Sequence, residues 1–282
     1  MTTCAVSREN AAVLVDRRRA GAYTVLTVQA PEIVSGARPG QFVSIGVQAQ
    51  HTLLRRPFAI AGVDAAAGTL QVVIAVVGHG SRWLANQPAA AALDVVGPLG
   101  RGFVLPSVAT RCVLAGGGYG TAPLGWLGQQ LLVAGHQVEL LSGAASAGAL
   151  YPVSRVMAAA GVAIETTEDG SRGRTGLVTD VLEARLAQPS PAVVYACGPM
   201  PMLAAVAEIA RRHDVACQVA VEEHMGCAVG VCMTCVVPTH GGYLRACVDG
   251  PVLDAQRVDW GSVGRGSSSF RTAHPPTLQG AS

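Results

Sequence analysis

The chain has 282 residues, half of them hydrophobic and only 13% charged, with a formal net charge of +2. That length provides for two ordinary domains and a small third module. A near-neutral charge and 4% aromatics leave no basic face or stacking platform for nucleic acid, and no apolar run approaches the roughly 20 residues of a membrane helix.

From residue 11 to 74 short strands dominate. Strands are predicted at 12–17, 23–28, 42–45, 54–60 and 70–77, the second alternating polar and apolar residues as a half-buried strand does. Short strands at close spacing, separated by Pro/Gly turns, predict a small antiparallel barrel. Gly97-Pro98-Leu99-Gly100 and Pro106 close that region. Two features in it bear on chemistry. Arg56, after Arg55 and immediately before Pro57, is either a fixed guanidinium suited to bidentate bonding of a pyrophosphate or a plain edge-strand arginine. Gly78-His79-Gly80-Ser81 opens a short helix, and is either an anion site with free N–H groups and a hydroxyl or a serine-capped turn.

At Arg111 strands begin to alternate with helices: strands at 112–115, 136–143, 163–167 and 192–196, helices at 124–133, 178–187 and 201–212. Alternation predicts a parallel, doubly wound sheet. Gly116-Gly117-Gly118-Tyr119-Gly120-Thr121-Ala122-Pro123 is not a G-x-G-x-x-G run, but it joins a strand to a helix. It is expected to hold a nucleotide at that helix N-terminus, the alternative being a tight turn. Cys197-Gly198-Pro199-Met200 follows a later strand at the same carboxyl edge, so Cys197 either lines a nicotinamide pocket or fills space. A ribose 2′-phosphate needs a cation after the second strand. None occurs from Leu141 to Tyr151, and the next is Arg155, which favours NAD over NADP. Glu139 stands near the spacing of a ribose-binding acid, or is an ordinary strand residue.

Four of the eight cysteines, Cys227, Cys232, Cys235 and Cys247, fall in a C-x4-C-x2-C-x11-C pattern among Gly, Ala and Val. Plant-type two-iron clusters use a C-x4-C-x2-C run with a distant fourth cysteine, which can return on a hairpin. A structural zinc site more often has two C-x2-C knuckles or a Cys/His mix. Only Cys232 and Cys235 form a knuckle, but His224 and His240 are near in sequence, so zinc stands as the alternative. Cys4, Cys112, Cys197 and Cys217 are isolated in apolar surroundings, as buried reduced thiols are. With no charged-then-apolar signal at the N-terminus, the expected compartment is the cytoplasm. No paired carboxylates or Ser/His/Asp set marks a catalytic acid or base. Residues 255–282, rich in Gly, Ser, Thr and Pro, are read as a mobile tail.

These motifs together resemble the electron-transfer subunit of the bacterial NAD-dependent dihydroorotate dehydrogenase of B type. The resemblance rests on Arg56-Pro57-Phe58-Ala59-Ile60, Gly78-His79-Gly80-Ser81, Gly97-Pro98-Leu99-Gly100, the 116–124 glycine loop, Thr167-Glu168-Asp169-Gly170-Ser171, Cys197-Gly198-Pro199-Met200 and the four cysteines. It implies a ferredoxin-reductase-like fold, β-barrel plus α/β. An antiparallel FAD-binding barrel would span 1–106, a doubly wound parallel NAD-binding sheet 107–215 and a small C-terminal [2Fe-2S] module 216–254. Arg56, Pro57, Phe58, Ala59, Val73, Ile74, Ala75, Gly80 and Ser81 would contact FAD. Gly116, Gly117, Gly118, Gly120, Thr121, Cys197 and Gly198 would serve NAD, and Cys227, Cys232, Cys235 and Cys247 the cluster. Two departures stand out: the family commonly has serine where Ala59 stands, and an aromatic and an arginine near Val73 and Ile74. The first removes a side-chain hydrogen bond to the flavin, and the second puts more of the phosphate charge compensation on Arg56.

The resemblance further implies a relay from dihydroorotate oxidation at the FMN of a catalytic partner subunit, through the cluster and FAD, to NAD+ in pyrimidine (UMP) biosynthesis. A heterotetramer of two copies of each subunit is implied, with no nucleic acid or membrane partner. Met225, Val229 and Met233 are candidates for the docking face or for shielding the cluster. The alternatives are a diaphorase subunit of another complex, such as a sulfide dehydrogenase or a cytoplasmic hydrogenase, and a zinc-stabilised nucleotide-binding module.

Overall fold

The computed structural model describes residues 6–49, 52–152, 162–188, 190 and 192–263. Cys4, Arg155 and the tail from 264 onward lie outside the described residues.

The first unit comprises β1 (Ser7–Ala20), β2 (Tyr23–Gln29), α1 (Pro31–Gly36), β3 (Phe42–Ile45), β4 (Arg56–Asp64), β5 (Thr69–Ile74), α2 (His79–Ala85) and β6 (Ala92–Leu99). Its six strands close into a barrel in the order β1-β2-β5-β4-β3-β6, every pairing antiparallel. Closure depends on β6, which bonds both β1 and β3 and ends in the Gly97-Pro98-Leu99 motif. Alternation along β5 sorts its side chains. Leu70, Val72 and Ile74 point into the barrel core with Leu26, Ile45 and Ile60, whereas Val73 and Ala75 pack outward against Tyr23 and Ala122.

The second unit continues with β7 (Arg111–Gly117), α3 (Thr121–Val133), β8 (Gln137–Ala144), β9 (Val162–Thr167), β10 (Arg174–Thr175), α4 (Val178–Leu186), β11 (Ala192–Cys197), α5 (Met200–Arg212) and β12 (Ala216–Ala220). The hairpin β13 (Val236–Thr239) and β14 (Gly242–Arg245) follows, then β15 (Val252–Asp254). The sheet runs β10-β9-β8-β7-β11-β12-β15. Its pairings are parallel except that of β15 on β12. Cys112, Val113, Leu114 and Ala115 are fully buried, as a central parallel strand covered on both faces must be. The chain builds outward from β7 through β8 and β9, then returns to β11 on the other side. The switch point therefore lies between the carboxyl ends of β7 and β11, where Gly116 stands opposite Cys197.

Two expected boundaries move. β12 belongs to the sheet, so the α/β unit runs past residue 215, and the cysteine segment is an excursion between the neighbouring strands β12 and β15. The ordered chain also continues beyond 254. Asp254 accepts a hydrogen bond from the Gln256 N–H, Ala255 and Val258 are buried, and the Trp260 indole donates to the Ala255 carbonyl.

Glu139 proves to be a strand residue in the amino-terminal half of β8, away from the carboxyl edge. Its carboxylate is buried between Arg111 Nε (2.9 Å) and Arg185 Nε (2.7 Å) and Nη2 (2.8 Å). The charge that matched the ribose-acid spacing fastens β7 and α4 to β8 instead.

Candidate functional site

A cleft of about 870 Å³ separates the barrel from the carboxyl edge of the sheet. On the barrel side it is lined by Arg56, Pro57, Phe58 and Ala59 at the start of β4, by Val73 and Ala75, and by the turn at 77–81. Ile74 stands behind this wall, facing the barrel interior.

Arg55 and Arg56 divide their work. Arg55 bonds Asp94 Oδ2 (2.6 Å) and the carbonyls of Ser44 (2.8 Å) and Asp94 (2.7 Å), tying β4 to β6. Arg56 is the arginine that lines the cleft among the described residues. Its guanidinium lies across Gly80, where an added Cβ would come within 2.8 Å of Nε. Glycine at 80 thus lets the cation sit against the first turn of α2. The Ser81 hydroxyl accepts from the N–H groups of Val77 and Gly78 (both 3.0 Å) and donates to the Gly78 carbonyl (3.1 Å). Ser81 therefore holds the turn's shape, and the guanidinium beside it in the cleft is that of Arg56, whose Nη1 also donates to the Leu54 carbonyl (3.0 Å).

On the sheet side Gly117, Gly118 and Gly120 meet Cys197 and Gly198 at the switch point. The two loops interlock through missing side chains. A Cβ on Gly117 would reach within 2.8 Å of Pro199, and one on Gly120 within 2.6 Å of the Cys197 carbonyl. Gly116 and Thr121 lie behind the surface. Thr121 Oγ1 bonds Ser142 Oγ (3.2 Å), and Gly116 packs so closely on Thr121 that a Cβ would sit 2.4 Å from that oxygen. Cys197 borders the cleft but is otherwise enclosed by protein. Burial, then the charge of Glu222, push its thiol up to about 12, so it stays a neutral S–H.

Tyr23, Tyr119 and Glu222 are not among the site residues expected from sequence. The Tyr119 hydroxyl donates to Glu222 Oε1 (2.6 Å), and the Tyr23 hydroxyl to the Ala149 carbonyl (2.6 Å). Their rings meet edge to face at 5.8 Å. Burial, then the bond to Glu222, drive the Tyr119 phenol well above its ordinary value. Tyr119 was the one bulky residue in a glycine loop, a signal in hindsight. Its partner, 103 positions away, gave none. Glu222, Glu223 and Met225 also line the cleft, which therefore reaches from the barrel to the foot of the cysteine loop.

In that loop Ala228, Gly230 and Met233 take left-handed backbone conformations (φ 62°, 84° and 58°). The resulting tight bends turn N–H groups inward. Val229 (3.5 Å), Val231 (3.3 Å) and Cys232 (3.4 Å) donate to the Cys227 sulfur, and Thr234 Oγ1 donates to that of Cys232 (3.2 Å). The bonds from Thr234, then those from Cys227, pull the Cys232 thiol down to about 6. Cys235 and Cys247 are buried, and burial, then its bond with Cys235, push Cys247 up to about 12.

Among the described residues no three Cys, His, Asp or Glu side chains form a group that would hold a metal ion. A [2Fe-2S] cluster instead divides four thiolates between two irons. The thiols fit that division, because Cys232 donates its N–H to the Cys227 sulfur (3.4 Å) and the residue before Cys247, Ala246, donates its N–H to the Cys235 carbonyl (2.8 Å), which sorts the four into two pairs. Inward N–H groups around Cys227 suit a sulfur that carries negative charge.

A closed barrel facing the switch point of a parallel sheet, with a cysteine excursion at the sheet's edge, defines the ferredoxin-reductase-like class of flavoproteins. The family profile for the iron–sulfur cluster binding domain of dihydroorotate dehydrogenase B matches residues 222–259. The electron transfer subunit of dihydroorotate dehydrogenase B (NAD(+)) from Bacillus caldolyticus is 38% identical over 259 residues, 90% of this chain and 99% of that one. The chain belongs to this family of electron transfer subunits and is an oxidoreductase subunit. A solved structure of an NADH-dependent reduced ferredoxin–NADP oxidoreductase, studied for flavin-based electron bifurcation, superposes with a TM-score of 0.84 at 28% identity, covering 96% of each chain. The cytochrome b5 reductase domain of Ulva prolifera nitrate reductase shares the fold (TM-score 0.59, 17% identity, 72% of this chain and 92% of that one). FAD, a [2Fe-2S] cluster and NAD fit the barrel wall, the cysteine loop and the glycine loops. No described helix is long and apolar enough to cross a membrane.

Proposed function

We propose that this chain carries electrons from dihydroorotate, oxidised at the FMN of a separate catalytic subunit, to NAD+ in pyrimidine (UMP) synthesis in the cytoplasm. Two copies of each subunit assemble as a heterotetramer. The observation that carries the reading is one continuous cleft. It joins the barrel wall, the glycine loops at the switch point and the foot of the cysteine loop. When bound, a flavin beside an iron–sulfur cluster converts between one-electron and two-electron transfer.

The chain's own residues bind, align and insulate. Arg56 offers the cation for the FAD pyrophosphate, Gly80 lets it approach, and Pro57, Phe58, Ala59, Val73 and Ala75 supply the flavin's apolar bed. Gly117, Gly118, Gly120 and Gly198 clear room for the nicotinamide nucleotide beside the neutral Cys197 thiol. Ile74, Gly116 and Thr121 shape these surfaces from behind, and Ser81, itself on the cleft wall, holds the turn at 77–81 in shape. Cys227, Cys232, Cys235 and Cys247 ligate the cluster. At the sheet end the cleft is lined by Glu168 and by no described arginine, which disfavours a 2′-phosphate and supports NAD. The barrel to residue 106, the sheet from 107 with β12 and β15, and the cysteine excursion between those strands form the three units. Val229 (52% exposed) and Met233 (53%) are apolar and open to a partner, while Met225 packs on the core.

Arg56→Gln is expected to weaken FAD binding to the stripped protein about 10–100-fold, the worth of hydrogen bonds to a charged group. Titration followed by flavin fluorescence reads this directly, and an unchanged affinity would move the pyrophosphate off Arg56. The relay itself is tested by reconstituting the purified full chain anaerobically. Iron–sulfur absorbance, with flavin bleached by NADH, is the expected result; a preparation without that absorbance would defeat the proposal. Zinc without acid-labile sulfide would support a zinc-stabilised module instead. A second reading keeps the cofactors and changes the complex, and the 28% identity to the bifurcating oxidoreductase favours it. Co-purification separates the two: an FMN-bearing subunit supports the first, a metal-rich one the second.

A further inference from the structure

The four cysteines sit on two pieces of chain, the 227–235 loop and the turn after β14. One side chain ties them together. Arg245, the last residue of β14, donates from Nη1 to the Gly230 carbonyl (3.1 Å). Its Nε (3.1 Å) and its own backbone N–H (3.0 Å) donate to Asp249 Oδ2. Its carbonyl accepts from the N–H groups of Val248 (3.1 Å), Asp249 (2.8 Å) and Gly250 (3.2 Å), which folds the turn bearing Cys247. Gly230 is itself in the left-handed region, and a Cβ there would come within 2.6 Å of Val248. Loop and turn are therefore held at one separation, with the guanidinium wedged between the Gly230 carbonyl of the cysteine loop and the turn that bears Cys247 two residues on.

We infer that Arg245 is a positioning residue whose fixed positive charge raises the reduction potential of the cluster, with Asp249 opposing part of that effect. The inference rests on Cys227, Cys232, Cys235 and Cys247 being the cluster ligands. A cluster with four thiolates is anionic, and one electron from the partner's flavin deepens that charge with no proton required. A nearby cation stabilises the more negative state by more than the less negative one, and a nearby carboxylate does the reverse. The guanidinium is 36% exposed and Asp249 23%, so solvent screens both charges in part. Hydrogen bonding and charge near the sulfurs are recognised levers on such potentials.

The test is a dithionite titration of the full, FAD-loaded and cluster-loaded chain, followed by the EPR signal of the reduced cluster. Arg245→Gln is expected to shift the one-electron equilibrium about tenfold toward the oxidised cluster, which is ~59 mV more negative. Arg245→Lys, which keeps the charge and loses the planar fork, should stay close to the parent. Asp249→Asn, which keeps the shape and loses the opposing charge, should move the potential the other way. A purely structural clamp would shift Arg245→Gln and Asp249→Asn in the same direction, or neither, and either outcome overturns the inference. If Arg245→Gln fails to hold a cluster, Asp249→Asn decides: a more positive potential supports the assignment, while an unchanged or more negative one refutes it. Iron and acid-labile sulfide missing from the parent protein would refute the ligand reading itself, a distinct result.

Discussion

Cys235→Ser is expected to abolish the cluster while leaving the flavin reducible by NADH. Cys235 is 2% exposed and its carbonyl receives the Ala246 N–H (2.8 Å), so burial and the backbone bond together set one half of the quartet. Serine preserves the backbone bond but replaces a soft thiolate with a hard, weakly acidic hydroxyl, a poor partner for iron. Losing an outer-shell partner alone costs 10–100-fold in metal affinity or activity. Losing a ligand should therefore lower dihydroorotate-driven NAD+ reduction in the assembled complex by on the order of 100-fold or more. Visible absorbance and iron content of the purified variant should fall together. The cleft residues proposed to receive flavin and nucleotide are untouched, so stopped-flow bleaching of the flavin by NADH should match the parent. If bleaching is lost as well, the cysteine segment is a structural wall of the cleft and not a separate stage in the relay.

What could be read from the chain was whatever is local. Strand periodicity, glycine-rich turns and the spacing of thiols are each contained in a few residues, and they placed the barrel, the parallel sheet and the cysteine loop. Contacts between distant segments left no such mark. The closing strand β6, the Tyr119–Glu222 bond and the return of β15 to the sheet all depend on partners far along the chain. Motif membership also says nothing about which way a side chain points. Val73 and Ile74 are adjacent in the stretch expected from sequence to contact flavin, yet period-two alternation sends one to the cleft and the other to the barrel core. Gly116 and Thr121 stand behind their loop for a similar reason, since a tight turn needs residues that fill its inside. Residues 255–263 look featureless because a buried turn held by an aspartate cap and one indole has no periodicity to detect.

Glu139→Ala is expected to lower stability by about 3–5 kcal/mol, because one carboxylate serves two guanidinium groups and Arg111 beside it is only 7% exposed. Arg111 already has one buried nitrogen, Nη1, without a partner, so removal of Glu139 would strand most of that side chain's donors in the interior. For a chain of this size each kcal/mol moves the melting midpoint by about 2–4 °C, so a drop on the order of 10 °C should appear by differential scanning calorimetry. The effect should depend on pH in one direction. Burial works to raise the Glu139 carboxyl, but its bonds and charge interactions with Arg185 and Arg111 outweigh burial and hold it below the usual carboxylate range. A carboxyl lowered in the folded state stabilises fully above its unfolded value, near about 4.3. That contribution is lost as pH falls through the folded value. The gap between parent and Glu139→Gln should therefore be widest at neutral pH and shrink on acidification below about pH 4. Parent and variant melting in parallel across that whole range would show that the buried charge contributes nothing to holding β7, β8 and α4 together.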